Sequence, residues 1–401
     1  MTSFFKRAQG DRFTGGSRSM LLAAGVVLAA QSVSVASAAE GAAEIEEVMV
    51  TASRRSESLQ DIAMSVTVSS PTDFVSTGIT TLRDVVNYSP GVVFRGGSAP
   101  IDNGLTMRGV STMTSAPTVG VYIDDVPIGS GNGQAAGASL LLDVMKAGME
   151  RVELIKGPQG TLYGASSMGG IMRYVSPDAS RSEVTGAVSA DLSSIDHGGS
   201  SARYTGRISA PIVEDRAGIF LSGYYEDVGG FIDRIPQSAT GAATDVNGHK
   251  NYGGMAKIDM NFTDRFSASV LALYDKTTFH GRNVVTLDGP PFELAYGKYE
   301  TDTAYSDDES DFKVGALTLN YDFDFADLIS TTSYQERLVS STTDLVADFG
   351  PLINLFCQCQ VDNAPFTGSQ STDRFVQELR LVSSEPAREA GNFAWSVGPF
   401  Y

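Results

Sequence analysis

The octapeptide Arg203-Tyr204-Thr205-Gly206-Arg207-Ile208-Ser209-Ala210 decides the fold class. Successive side chains of an extended strand point to opposite faces, so Tyr204, Gly206, Ile208 and Ala210 share one face while Arg203, Thr205, Arg207 and Ser209 share the other. One face suits lipid and the other suits water. Working outward, the same period of two runs from Val184 onward in segments of roughly ten residues, the length a tilted strand needs to cross a bilayer. At 374–382, Phe375, Leu379 and Leu381 oppose Arg374, Glu378 and Arg380; at 392–401, Phe393, Trp395, Val397 and Tyr401 oppose Asn392, Ala394 and Ser396. About nine strands are expected, near 184–192, 203–210, 218–227, 250–260, 266–275, 312–321, 328–338, 374–382 and 392–401.

The connections between these segments alternate in length. Those at 211–217, 261–265, 322–327 and 383–391 are short; those at 228–249, 276–311 and 339–373 are long, and 193–202 is intermediate. A soluble β-sandwich would not alternate its hairpins in this way, whereas a transmembrane barrel pairs short turns on one side of the membrane with long loops on the other. The chain is therefore expected to be mainly β, with an antiparallel transmembrane barrel over 181–401. An open sheet of nine strands leaves unpaired edges that hydrocarbon does not tolerate. The expected barrel is accordingly incomplete, a truncated piece of a larger one.

The start of the chain carries an export pattern. Lys6, Arg7, Arg12 and Arg18 precede an apolar run over 20–30, and Ala36-Ser37-Ala38 supplies a small-residue cleavage site, so 1–38 reads as a secretory signal peptide. A membrane helix would need about 20 apolar residues, and Gln31 and Ser32 end the run early. The formal net charge of −18 argues against nucleic acid as a partner, since phosphate selects for Lys and Arg. Cys357 and Cys359 stand in C-x-C spacing, open to a local loop disulfide or to partners in further sequence. His197, His249 and His280 are scattered, so neither a metal site nor a cofactor is expected.

Between leader and barrel lie two further regions. Residues 39–60 are polar, with one β-prone run, Val48-Met49-Val50-Thr51, that has no neighbouring apolar pattern to pack against. Residues 61–180 read as a small α+β globule. Thr80 and Thr81 open a helix through Val86 that Pro90-Gly91 stops. Val119 to Ile123 and Arg151 to Ile155 read as strands, and the glycine-rich stretches 96–104 and 129–139 read as loops.

Specific motifs then point to a family. The run Ile45-Glu46-Glu47-Val48-Met49-Val50-Thr51-Ala52-Ser53-Arg54-Arg55 resembles the TonB box of TonB-dependent outer-membrane receptors and its flank. Physically it is an extended segment able to add as a strand to a partner's sheet edge. Four ordered motifs resemble that family's plug domain: Thr106-Met107-Arg108-Gly109-Val110; Val121 to Pro127 with Asp124-Asp125; Glu150 to Gly164; and Gly169-Gly170-Ile171-Met172. Within the third, Gly157, Pro158, Gly160 and Gly164 supply turn geometry, Tyr163 lies just before its close, and Arg151, Glu153 and Lys156 offer charges inside an otherwise wet lumen.

The resemblance implies a plug at 61–180 behind a TonB-box segment at 39–60 containing Glu46, Glu47, Val48, Met49, Val50, Thr51 and Ala52. It implies residence in the outer membrane of a Gram-negative bacterium, among lipid and lipopolysaccharide, and a completed barrel of 22 strands. It also implies energised uptake of a scarce ligand, a ferric siderophore or similar iron complex, driven by periplasmic TonB and its inner-membrane energising complex. Cobalamin or an oligosaccharide is an alternative cargo, and a passive or adhesive barrel an alternative role. By analogy the outward plug loops hold candidate substrate contacts at Ile101, Asp102, Asn103, Asn132 and Gln134. No catalytic constellation is present: Gly164-Ala165-Ser166 has no paired His, and Asp124-Asp125 sits at a strand-to-turn junction where only one carboxylate faces a given site.

Overall fold

The computed structural model describes residues 49–50, 54, 57–60, 62–70, 81–96, 103–110, 117–128, 144–235, 242–281, 283, 285, 300–301, 308–344, 355–356, 365–384, 393 and 395–401. The expected signal peptide, most of the TonB-box segment and the loop candidates Ile101, Asp102, Asn132 and Gln134 lie outside them. In chain order, β1 (Met49–Val50), β2 (Glu57–Ser58) and β3 (Ser65–Ser69) precede α1 (Leu82–Asn87). Then follow β4 (Val92–Gly96), β5 (Asn103–Met107), β6 (Val119–Ile123), β7 (Val126–Ile128), a 3-10 turn (Met145–Ala147), β8 (Arg151–Lys156), α2 (Gly160–Tyr163) and β9 (Gly170–Val175). The wall region follows with β10 (Thr185–Ser194), β11 (Ser200–Val213), β12 (Ala217–Val228), β14 (His249–Thr263), β15 (Phe266–Phe279), β17 (Asp308–Asp322), β18 (Ala326–Asp344), β19 (Pro365–Ser383) and β20 (Ser396–Val397), while β13 (Asp233–Arg234) and β16 (Glu300–Thr301) pair with each other in parallel between them.

The globule is built on a five-stranded sheet in the order β3-β8-β9-β6-β7, with β6 and β9 parallel and the other neighbours antiparallel. Central β9 is buried at all six positions, as a strand covered on both faces must be. Its first residue has to be glycine: Gly170 adopts φ +147°, and a Cβ there would strike the Ile155 carbonyl oxygen and the Met107 sulfur. Helix α1 starts in a capping box. The Thr81 hydroxyl accepts from the Asp84 amide at 3.3 Å, and the Asp84 carboxylate accepts from the Thr81 amide at 3.0 Å. Leu82, Val85 and Val86 fall on one face of the helix and bury it.

The nine long or edge strands β10-β11-β12-β14-β15-β17-β18-β19-β20 form one antiparallel sheet in nearly sequential order, the topology of an up-and-down barrel wall. Register settles which face is which. Tyr204, Ile208, Leu221, Tyr225, Val270, Leu317, Leu338, Phe375 and Leu379 are exposed on the outer face. Phe220, Met255, Leu271, Leu273, Phe312 and Val314 point inward and share one apolar cluster with Val85, Leu105, Val152 and Tyr174 of the globule. At the rim of short turns, Phe262, Phe266, Tyr321, Phe323 and Phe325 form a chain of ring contacts 4.6 to 6.4 Å apart, the aromatic girdle of a membrane interface.

A clamp fixes the junction of globule and wall. Lys257 reaches Asp178 at 3.3 Å and Asp259 at 3.6 Å; the Ala179 amide donates to Asp259 at 2.8 Å and the Ser180 amide to the Ser209 hydroxyl at 2.7 Å. The globule's last strand is thereby held against β11 and β14 by its following residues.

Several expectations need correction. The β-prone run does pack: β1 pairs with β2, and Val50 is fully buried beside Tyr122, Ile155, Tyr163 and Ile171, partners that come from distant sequence. The glycine-rich stretch 96–104 is not wholly loop, because Gly96, Asn103 and Gly104 belong to the antiparallel pair β4–β5. Glu153 does not face a wet lumen; it is completely buried. The strand expected over 392–401 is reduced to β20 and an isolated bridge between Glu378 and Phe400, and β18 and β19 run to 19 residues each, well past the bilayer length. Short strands β3, β4, β7 and β9 carry too little periodicity to have been read alone.

Candidate functional site

The densest polar chemistry among the described residues lies where β1, the β6–β7 turn and β19 meet. The turn reverses the chain through Asp124, which takes a left-handed φ of +50°, a conformation Asp tolerates because its side chain satisfies local donors. Asp124 accepts from the Ser176 amide at 2.9 Å and the Ser176 hydroxyl at 2.6 Å. Asp125 faces the other way, toward three guanidinium groups: Arg380 at 3.1 Å, Arg54 at 3.6 Å and Arg173 at 3.7 Å. The two adjacent carboxylates thus divide their work, as the strand-to-turn placement requires.

Arg54 is the most connected of the three. Its guanidinium donates to the Glu378 carboxylate on β19 at 2.9 Å and lies over the Tyr163 ring at 4.4 Å and the Tyr122 ring at 5.4 Å. The Tyr122 hydroxyl in turn donates to the Tyr163 carbonyl at 2.8 Å. Arg54 is 7% exposed and adopts φ +63°, a strained backbone that a β-extended residue would avoid. Arg380 closes the ring by donating to Glu378 at 3.1 Å. On the globule side Arg173 stands 3.6 Å from buried Glu153, which also receives Arg151 at 2.8 Å.

The electrostatics follow from this enclosure. Burial alone would raise the Asp125 carboxyl, but Arg173, Arg380 and Arg54 hold it below the usual carboxylate range. Burial works against the charge on Arg54, yet Asp125 and Glu378 keep it above its ordinary value. The Tyr163 phenol is pushed up to about 12 by burial, against the pull of Arg173 and Arg54. Asp125, Arg54 and Tyr163 are therefore held in their usual charge states at neutral pH.

A second attachment lies toward the long-loop end. Lys146 of the 3-10 turn is ion-paired with Glu226 of β12, which also accepts from Arg203 at 2.8 Å and has His249 at 3.9 Å. The Ser222 hydroxyl donates to the Ala147 carbonyl.

Of the motif residues, Asp125, Arg151, Glu153 and Tyr163 come together in or beside the first network. Lys156 instead donates to the Pro90 carbonyl at 2.9 Å, and its ammonium is lowered by burial and by Arg108. Arg108 and Gly109 form a turn with positive φ, Gly157 (φ +111°) passes close to Arg108, Pro158 lies in the turn after β8, and Gly160 and Gly164 bound α2. Asn103 is the first residue of β5. Sequence reasoning did not assign Arg173, Lys146 or Glu226, and it placed Glu378 and Arg380 only on a polar face. The available signal was two opposite charges at i and i+2 in one strand, on the side facing away from lipid. Among the described residues no group of three His, Cys, Asp or Glu side chains is placed to hold a metal.

The family model described as TonB-dependent Receptor Plug Domain matches residues 58–171. The vitamin B12 transporter BtuB of Vibrio vulnificus (strain CMCP6) is 29% identical over 237 residues, which cover 58% of this chain and 36% of that one. The pesticin receptor of Yersinia pestis is 35% identical over 147 residues, covering 35% and 20%. Among solved structures, the ferric yersiniabactin uptake receptor FyuA from Yersinia pestis superposes with a TM-score of 0.58 at 20% identity, covering 80% of this chain and 46% of its own. The ferric-catecholate import receptor Fiu from E. coli K12, open form, gives 0.58 at 18%, covering 81% and 47%. The chain thus spans 36% or less of the curated relatives named and under half of the solved receptors. The match at 58–171 covers most of the five-stranded globule, and the nine-stranded wall shares the fold of the solved receptors, so the chain carries a TonB-dependent receptor plug domain docked on part of a β-barrel.

Proposed function

We propose that the protein imports a scarce ligand across the outer membrane, with a ferric siderophore or similar iron complex as cargo, and that periplasmic TonB with its inner-membrane energising complex supplies the work. The domain boundaries proposed are a signal peptide at 1–38, a TonB-box segment at 39–60, a plug at 61–180 and barrel wall at 181–401. The observation that carries the reading is β1: a two-residue strand buried against the plug and paired, among the described residues, with short β2, in the run that resembles a TonB box. Such a strand is exchangeable, because a partner's sheet edge can replace β2 and offer more backbone hydrogen bonds. The solved receptors named for ferric yersiniabactin and ferric catecholates favour an iron complex. The match to a vitamin B12 transporter covers more of this chain than the match to the pesticin receptor and favours cobalamin as a second reading.

The test is Val50→Pro in the full-length receptor. Proline deletes one amide and fixes φ, so ligand binding at the cell surface should survive while energy-dependent accumulation collapses; Val50→Ala should be far milder. Accumulation by the proline variant at the wild-type rate would sink the proposal.

A further inference from the structure

We infer that Asn247 is a positioning residue that joins two long connections of the wall, 229–248 between β12 and β14 and 280–307 between β15 and β17, into one body. This side of the mouth then opens and closes as a single plate and not as separate loops. The inference stands on the wall alone and is independent of what the protein imports.

Three observations carry it. First, one buried side chain serves both connections. Asn247 Oδ1 accepts from the Phe231 amide at 2.7 Å and the Ile232 amide at 2.9 Å, which folds its own connection, while Nδ2 donates to Asn283 Oδ1 at 2.7 Å in the next one. A side-chain amide offers an acceptor and donors at once, which neither a carboxylate nor an ammonium does. Second, the connections meet backbone to backbone. The His280 amide donates to the Gly248 carbonyl at 2.9 Å, and a Cβ added to Gly281 would strike the Val246 carbonyl oxygen. Strands β13 and β16, one from each connection, pair in parallel. Third, the body has an interior of its own. The Val246 amide donates to the Ile232 carbonyl at 2.7 Å, and Arg234 and Ala243 exchange backbone bonds at 2.7 and 3.1 Å. Ile232 and Ile235 are buried, although they belong to neither apolar cluster of plug and wall. Segments that share buried contacts and hydrogen bonds open as one cooperative unit, whereas loops without them open one by one.

A cap that merely folded its own connection would protect Phe231 and Ile232 and nothing beyond, so the test reads both connections at once. Amide exchange is followed in the intact receptor at neutral pH at Phe231, Ile232, Val246 and His280. In the parent the four should open as one unit, with protection agreeing within about threefold. Asn247→Ala should speed all four about ten- to a hundredfold, His280 included, although its own bond to Gly248 is untouched. Charge then breaks the joint without removing the cap. Asn247→Asp keeps oxygens for Phe231 and Ile232 while Asn283 turns its amide round to donate, and Asn283→Asp leaves Asn247 a carboxylate to bind; each alone should stay near the parent. The double variant sets two carboxylates face to face, and His280 should then exchange at least about tenfold faster than Phe231 and Ile232. Exchange within β14 and β15 should stay at the parent rate throughout. His280 at the parent rate in Asn247→Ala overturns the inference, as does a double variant that is the sum of its singles. Four amides already far apart in the parent, or wall exchange that rises in step with theirs, overturn it too.

Discussion

At the scale of single residues, Asp125 shows how one carboxylate can organise a boundary. Its carboxyl is held below the ordinary value of 3.8, so folding or docking favours its charged form. A group depressed in this way contributes fully above the ordinary value, and its contribution fades as pH falls through the depressed one. Docking of the β6–β7 turn against β19 should thus be flat across neutral pH and weaken only below about 3.8, the ordinary value of the group. Amide exchange in β6 and β7, followed from pH 7 downward in the intact receptor, reads this directly. Asp125→Asn should raise exchange there at neutral pH, by an amount on the order of 3 kcal/mol for breaking one partner of a largely buried pair, and should abolish the acid limb. An unchanged acid limb in the variant would assign the effect to another group.

At the scale of elements, Gly170 separates what a motif means from what it spells. A methyl group added there must displace the Ile155 carbonyl and the Met107 side chain and must hold φ +147°, so Gly170→Ala should destabilise the plug by at least about 2 kcal/mol. Gly160→Ala, with open space around the site and an ordinary φ, should be neutral within about 0.5 kcal/mol. Thermal unfolding of the two receptors compares them. The wall strands were legible in the sequence because lipid and water select opposite faces at every second residue, as the pairing of Tyr204 with Tyr225 on the outer side bears out. α1 was legible because Thr81 and Asp84 write its cap locally. β7 and β9 were not, because a strand of three to six residues buried on both faces leaves no alternation to detect, and β4 was not, because five residues are too short to establish one. The network around Arg54 was illegible for a different reason: Arg54 and Glu378 stand 324 positions apart, and only the docking of plug on wall joins them.

At the scale of the whole molecule, the outer face must meet hydrocarbon, and the cost of a charge there depends on depth. Leu317 lies in the middle of β17 with its side chain outward, while Tyr321 lies at the aromatic rim. Leu317→Arg should cost about 2 to 4 kcal/mol and lower the yield of heat-modifiable receptor in outer membranes; Tyr321→Arg should cost about 0 to 1. Equal losses would mean that the girdle does not mark the interface. The plug meanwhile is held very differently at its two ends. Toward its N-terminus β1 is held by a two-residue pairing with β2 and by the burial of Val50, whereas past β9 the Lys257 clamp ties Asp178, Ala179 and Ser180 into β11 and β14. A pull on the N-terminal end, as the proposed function requires, would therefore unravel the plug from that end rather than carry it off. The displaced strands stay tethered beside the surface they left, at high effective concentration, so the resting state is rebuilt by local hairpin closure, on the order of microseconds, with no search for a lost domain.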